Sequence, residues 1–147
     1  MTTFASTESV AWDEGLPLEA FRDRRIRAQF SPVAAKLFVR LADAWGLAVE
    51  QRRVLLGNIG RQTYFNWANG KVAARSRDQL ERVSLVLGIH KGLKLLFADE
   101  ASAMRWFKSP NRDVPFGGQS PLQRVLRGSI DDLYAVRRYI DAWRGMK

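Results

Sequence analysis

Apolar side chains recur at helical intervals through most of the chain. Leu37, Leu41 and Trp45 stand four apart, flanked by Val33, Ala34 and Phe38, as on a helix buried along one face. Ser31-Pro32 predicts its start, with Ser as the cap and Pro in the first turn, where a missing N–H is harmless. Gly46 predicts its stop. Two short helices are predicted next, over 49–56 ending at Gly57, and over Arg61–Ala68 ending at Asn69-Gly70. Ser76 with Gln79 reads as a capping box for a longer helix with Leu80, Val83, Val86 and Leu87 on its apolar face. Gly88 is a candidate interruption, after which Leu93, Leu96 and Phe97 resume the pattern.

Asp99 is placed to cap a helix running through Met104, Trp106 and Phe107. The stretch from Ser109-Pro110-Asn111 to Gly117-Gly118 excludes helix, because it carries Pro110, Pro115 and paired glycines. Ser120-Pro121 with Gln123 restarts one, and Ser129 with Asp132 starts the last. That last helix has Ile130, Leu133, Val136, Ile140 and Trp143 on its apolar face. Its acids Asp131 and Asp132 come early and its arginines Arg137, Arg138 and Arg144 late, as the helix dipole favours. Residues 1–15 are Thr/Ser-rich and read as an arm, and 17–29 as a short helix of alternating charge. No stretch alternates with period two, and no internal repeat is visible. The expected fold is all-α.

Charge adds a partner class. The 147 residues carry 24 Lys and Arg against 15 Asp and Glu, a formal net charge of +9, which favours a polyanion or a strongly acidic protein. Chemistry is constrained by what is scarce. Without cysteine there is no disulfide and no thiolate zinc site, and the single histidine, His90, cannot build a His-rich metal site. No phosphate loop of the Walker type and no arrangement of nucleophile, base and orienter accompanies it. The expectations are no enzyme activity, no metal and no cofactor. With neither a leader pattern nor an apolar run of membrane-spanning length, the expected location is the cytoplasm.

Residues 55–71 pair two short helices across a glycine-containing link, the requirement of a helix-turn-helix. The stretch resembles the Xre/Cro-type repressor motif. Trp67 to Gly70 matches the Trp-x-Asn-Gly end of its recognition helix, Ile59 its buried turn residue, and Thr63 and Trp67 its usual Thr and packing aromatic. Gly60 departs from the pattern, standing where a capping Ser or Thr is usual. The resemblance implies that Arg61, Gln62 and Asn66 face DNA; arginine suits guanine, and glutamine or asparagine suits adenine. Lys71, Arg75 and Arg77, with Thr63, are the candidate phosphate contacts.

The C-terminal part carries a second ordered set: Ala103, Trp106, Phe107, Pro110-Asn111, Gly118, Pro121-Leu122, Gly128 and a final helix to Gly145. This resembles the toxin-binding domain of the Xre/MbcA/ParS antitoxins, and with the upstream match the likeness covers about residues 31–147. The run 112–116 looks inserted, and is expected to alter the loop without touching its anchors. Read from residue type alone, Trp106 suits a core, while Trp143 suits a core or an interface equally. The resemblance implies a RES-domain, NAD-using toxin as partner, neutralised by a C-terminal helix and tail laid over its active site. The implied contacts are Tyr139, Trp143, Arg144, Gly145, Met146 and Lys147, with Trp106, Pro110 and Asn111 in the same module. It also implies operator DNA as a second partner, and a homodimer within a toxin–antitoxin hetero-oligomer.

The expected organisation is therefore an arm with a short helix (1–30), a helix-turn-helix domain (31–98) and a small helical toxin-binding domain (99–147). A free-standing helix-turn-helix regulator without a toxin is the alternative, and an assembly protein whose helix-turn-helix only packs is a further one. Contact of Arg22, Arg24, Arg25 and Arg27 with DNA, toxin or water alone is left open.

Overall fold

The computed structural model describes residues 18–71 and 76–146, with side chains from Ala20 onward, so the candidates Arg75 and Lys147 lie outside the described residues. Among those residues every regular element is helical: a 3-10 turn, Leu18–Arg22, then α1 (Arg24–Trp45), α2 (Val49–Leu55), α3 (Arg61–Ala68), α4 (Arg77–Leu96), α5 (Glu100–Lys108), α6 (Pro121–Val125) and α7 (Ile130–Gly145).

The first helix starts seven residues before Ser31, and Pro32 lies inside it rather than in its first turn. Asp23 is the cap, accepting from Arg25 N at 2.8 Å. Ile26 and Phe30 extend backwards, at four-residue spacing, the stripe that Ala34 and Phe38 continue, so packing carries the helix across the proline. Just before the proline Ser31 Oγ donates to the Arg27 carbonyl at 2.6 Å. Arg27 itself donates to the Phe21 and Arg22 carbonyls at 2.7 and 3.0 Å, tying the 3-10 turn to α1. One member of the early basic run is thus structural, whereas Arg22, Arg24 and Arg25 face solvent.

Gly46 ends α1 at φ 71 in the left-handed region, its N–H returned to the Ala42 and Asp43 carbonyls. Between α2 and α3, Gly57 (φ 92) and Asn58 (φ 60) turn the chain. A Cβ at Gly57 would sit 3.2 Å from Asp78 Oδ2, so this turn lies hard against the start of α4.

The central helix is α4, which packs most extensively on α7 and next on α1. It runs unbroken through Gly88. Both Gly88 and Gly92 face α7: a Cβ at Gly88 would lie 2.0 Å from Arg137 Nη1, and one at Gly92 would lie 2.3 Å from Ile140 Cγ2. These glycines permit close helix approach rather than interrupting a helix. Ser76 caps α4, accepting from Gln79 N at 3.0 Å, but the reciprocal half of the expected box is missing. Gln79 is buried, and its Nε2 has no partner among the described residues. The boxes at Ser120/Gln123 and Ser129/Asp132 form in full.

One core joins both halves, from Phe38, Trp45, Leu55 and Trp67 through Leu80, Val86 and Leu93 to Phe107, Leu133 and Ile140. Full burial of such side chains stabilises by roughly 1.5–3 kcal/mol each. His90 belongs to this framework. Its Nδ1 accepts the Trp45 indole N–H at 3.1 Å, which puts the neutral ring's proton on Nε2. Burial, helped by the Lys94 charge, lowers its pKa to about 4.

That shift has a sign. The unfolded imidazole protonates near 6.5 and the native one only near 4, so the unfolded chain binds the extra proton in between. Stability is full above pH 6.5 and falls as the pH drops from there towards 4. At about 1.4 kcal/mol per unit, the loss is on the order of 2–3 kcal/mol. With one histidine in the chain, urea unfolding at pH 7 and at pH 5 reads its contribution. His90→Gln is expected to flatten the difference; an equal slope in that variant would assign it to other groups.

Candidate functional site

Two surfaces collect the candidate residues. On the helix-turn-helix, Tyr64 and Trp67 are the buried side of α3. Trp67 packs on Phe38 (centroids 5.8 Å) and donates to the Ser31 carbonyl at 3.1 Å, which fixes α3 against α1. Of the remaining candidates on α3, Arg61 and Gln62 are exposed, and Thr63 and Asn66 half-buried. Gln62 Nε2 donates to Asn66 Oδ1 at 2.9 Å, so the two amides lie together one turn apart. Arg61 donates to Glu50 Oε2 at 2.9 Å, and its guanidinium lies 5.4 Å from the Phe65 ring centroid. Lys71 and Arg77 are exposed on either side of the undescribed 72–75.

Gly60 is the residue before α3 and makes no side-chain cap. A glycine there offers no oxygen to the first-turn N–H groups, which leaves the positive end of α3 facing outward. Two arginines that residue type alone did not single out hold the motif in shape. Arg53 Nε donates to the Ile59 carbonyl at 2.7 Å, and Arg52 bonds the Leu47 carbonyl (2.9 Å), the Tyr64 hydroxyl (3.2 Å) and Asp43 (2.8 Å).

The second surface is an aromatic cluster at the junction of α4, α5, α7 and the 109–120 loop. Trp106 stacks on Tyr139 (6.1 Å, 20°) and tilts against Trp143 (5.3 Å), and Phe97 meets Trp143 edge-on (5.6 Å). Neither tryptophan is a full core residue: both are half-buried. The loop closes at its neck, where Gly118 N donates to the Asn111 carbonyl (2.7 Å) and Asn111 N to the Gln119 carbonyl (3.1 Å). Asn111 Oδ1 accepts from Asp113 N at 2.9 Å, the local turn that asparagine favours, while Pro110 is exposed.

The insertion-like run 112–116 is part of the anchoring, contrary to expectation. Phe116 is buried and packs on Tyr139 (4.9 Å) and Trp106 (6.0 Å). The Tyr139 hydroxyl donates to Asp113 Oδ2 at 2.6 Å; this bond, with burial, raises the Tyr139 pKa to about 12. Arg124 joins the Pro115 carbonyl (2.6 Å) to Asp132 Oδ1 (2.6 Å). Burial would raise the Asp132 pKa, but the bonds from Arg124 and Ser129 outweigh it and hold the carboxyl below its usual range. The tip and the helix end stay open: Val114 is 88% exposed and Met146 80%, with Gly145 also exposed and Arg144 half-buried 3.6 Å from Asp141.

Among the described residues no helix is long and apolar enough to cross a membrane, and no group of three acidic or histidine side chains could hold a metal. The family comparisons fall on these two surfaces. The model of the antitoxin Xre-like helix-turn-helix domain matches residues 24–88, and that of the antitoxin Xre/MbcA/ParS C-terminal toxin-binding domain matches residues 93–145. The chain belongs to the Xre/MbcA/ParS antitoxin family. Its two domains meet in α4, the helix on which both halves pack. A relative of this antitoxin in Sinorhizobium fredii (strain NBRC 101917 / NGR234), the uncharacterized protein y4oB, is 42% identical over 116 residues, 78% of this chain and 86% of the relative. Neither matched domain is that of an enzyme.

Proposed function

We propose that this antitoxin neutralises a cytoplasmic RES-domain toxin that uses NAD, laying α7 and the residues after it over the toxin's active site, and that it represses its own operon as a homodimer within the toxin–antitoxin complex. The observation that carries the reading is the half-open aromatic cluster of Trp106, Tyr139 and Trp143, inside the segment matched as a toxin-binding domain. Aromatic side chains held rigid by neighbours, with apolar tips exposed beside them, are the usual anchors of a tight protein interface. The net charge of +9 and the outward face of α3 support the second activity.

Co-expression with the adjacent reading frame tests the first half. The neighbour alone is expected to deplete cellular NAD and stop growth, and the pair to grow and co-purify. A neighbour that is harmless and does not bind would overturn the reading in favour of a free-standing regulator. Truncation must respect the cluster: a chain ending at Ile140 loses Trp143 and its ring contacts, so it disturbs fold and contact together. A chain ending at Gly145 keeps the cluster and is expected to neutralise less well. For the second half, binding to the DNA upstream of its own reading frame is expected to fall steeply with salt yet exceed binding to random duplex at every salt. Equal affinity for both duplexes would leave only charge.

A further inference from the structure

We propose that Glu50 is a positioning residue for DNA reading: its carboxylate aims the Arg61 guanidinium, and it raises the preference for operator over other DNA at the expense of overall affinity. The inference rests on reading α3 as the recognition helix. Glu50 is in the first turn of α2 and Arg61 is the first residue of α3, so their bond spans the helix-turn-helix link. The carboxylate is divided between two cations. Oε2 accepts from Arg61 Nη1 at 2.9 Å, and Oε1 accepts from Arg53 Nη1.

Arg53 is itself fastened to the turn through the Ile59 carbonyl at 2.7 Å, and its side chain is largely covered. Glu50 is thereby fixed to the motif's framework and cannot simply follow Arg61 as it moves. From the other side the Phe65 ring limits the guanidinium, 5.4 Å from its centroid. Both side chains of the pair are well exposed, 62% for Glu50 and 59% for Arg61, so the pair does little for folding stability. Its consequence lies in binding.

An arginine reads guanine with two coplanar donors, and Arg61 has one Nη committed to Glu50, which orients the plane of the rest. Side-chain freedom that would otherwise be lost on docking is already lost in the unbound protein. The same carboxylate brings negative charge towards the phosphates and lowers attraction to any DNA, whatever its sequence. The two effects together exchange general affinity for discrimination.

The test compares wild type, Glu50→Ala, Arg61→Ala and the double variant. Each is titrated at one salt concentration with a duplex of the DNA upstream of its own reading frame and with a random-sequence duplex. Glu50→Ala is expected to lower the operator-to-random ratio about tenfold, within what one arginine–guanine pair discriminates, without weakening the random complex. Arg61→Ala is expected to lower the ratio at least as far, and the double variant no further than Arg61→Ala alone, because Glu50 acts on the ratio through Arg61 while its charge weakens both complexes alike. Thermal melts of all four are expected to coincide. An unchanged ratio in Glu50→Ala, equal weakening of both duplexes, or independent losses in the double variant would each overturn the role of Glu50. Absence of any preference in the wild type would instead overturn the recognition-helix reading beneath it.

Discussion

Gly92→Leu is expected to abolish stable folding, and Gly92→Ala to lower stability by about 1–2 kcal/mol, whereas Gly88→Ala is expected to leave it level or raise it slightly. The contrast follows from what each added carbon meets. In the middle of a helix, alanine in place of glycine is worth roughly 0.5–1 kcal/mol in favour of folding. At Gly88 the obstacle is the Arg137 guanidinium, the far end of a flexible chain held by a partly exposed pair with Asp141 at 3.1 Å. Swinging it aside costs a few tenths of a kcal/mol at most. At Gly92 the obstacle is Ile140 Cγ2, 2.3 Å away, on a residue with no exposed surface. Overpacking of this kind typically costs 1–3 kcal/mol, more for a leucine, against a total stability of roughly 5–15 kcal/mol.

A second substitution separates this from a generic core defect. Leucine at 140 has a single γ carbon, so Gly92→Ala/Ile140→Leu is expected to recover part of the loss. Valine at 140 keeps both γ carbons, so Gly92→Ala/Ile140→Val is expected to recover none. Denaturant midpoints for the five variants check the order. A Gly92→Ala protein as stable as wild type would show that α4 and α7 do not approach this closely.

Much of this architecture was legible from residue type and spacing, and the exceptions share a cause. Local signals placed α3 at Arg61–Ala68, the stop at Gly46 and the caps at Ser120 and Ser129, because each depends on a few neighbouring atoms. The start of α1 was misplaced because Ser31-Pro32 is a valid local signal that longer-range packing of Ile26 and Phe30 overrides. Gly88 read as a break for the same reason: only the partner helix reveals that its missing side chain makes room for Arg137. The pair Gly88 and Gly92, one turn apart on one face, was the available signal for a close crossing.

On the candidate surfaces the residues brought together in space were mostly those named from the motifs. Gln62 with Asn66, and Trp106 with Tyr139 and Trp143, lie one helical turn apart or in the ordered C-terminal pattern. Glu50 and Arg53 were not singled out, and Asp113 and Phe116 were set aside as part of an inserted run, because their roles are cross-element contacts between unremarkable residue types. The +9 charge pointed to a polyanion but could not say that Arg27 serves the fold, closing the 3-10 turn on α1.

Met146→Asp is expected to leave folding unchanged and to weaken toxin binding about a hundredfold or more, enough to lose neutralisation in cells. Met146 is 80% exposed just past α7, so burial is not its role in the unbound antitoxin, and an aspartate at this helix end should stay within about 1 kcal/mol of wild-type stability. If the end of α7 covers the toxin's active site, the same side chain becomes buried on binding. A carboxylate desolvated without a partner then costs several kcal/mol, of which about 2.7 kcal/mol is already a hundredfold. Tyr139→Phe probes the neighbouring surface more gently. It keeps the ring against Trp106 and Phe116 but removes the bond to Asp113, loosening the loop that carries Val114. Its expected effect is about tenfold, mostly in the dissociation rate, because the loop must be reordered in the complex. Lys36→Glu, exposed on α1, is the control; it changes the net charge by more than Met146→Asp does and is expected to leave toxin binding alone. Calorimetric titration of each variant with the toxin checks the order. Wild-type affinity in Met146→Asp would remove the end of α7 from the interface and shift the contact onto the aromatic cluster and its loop.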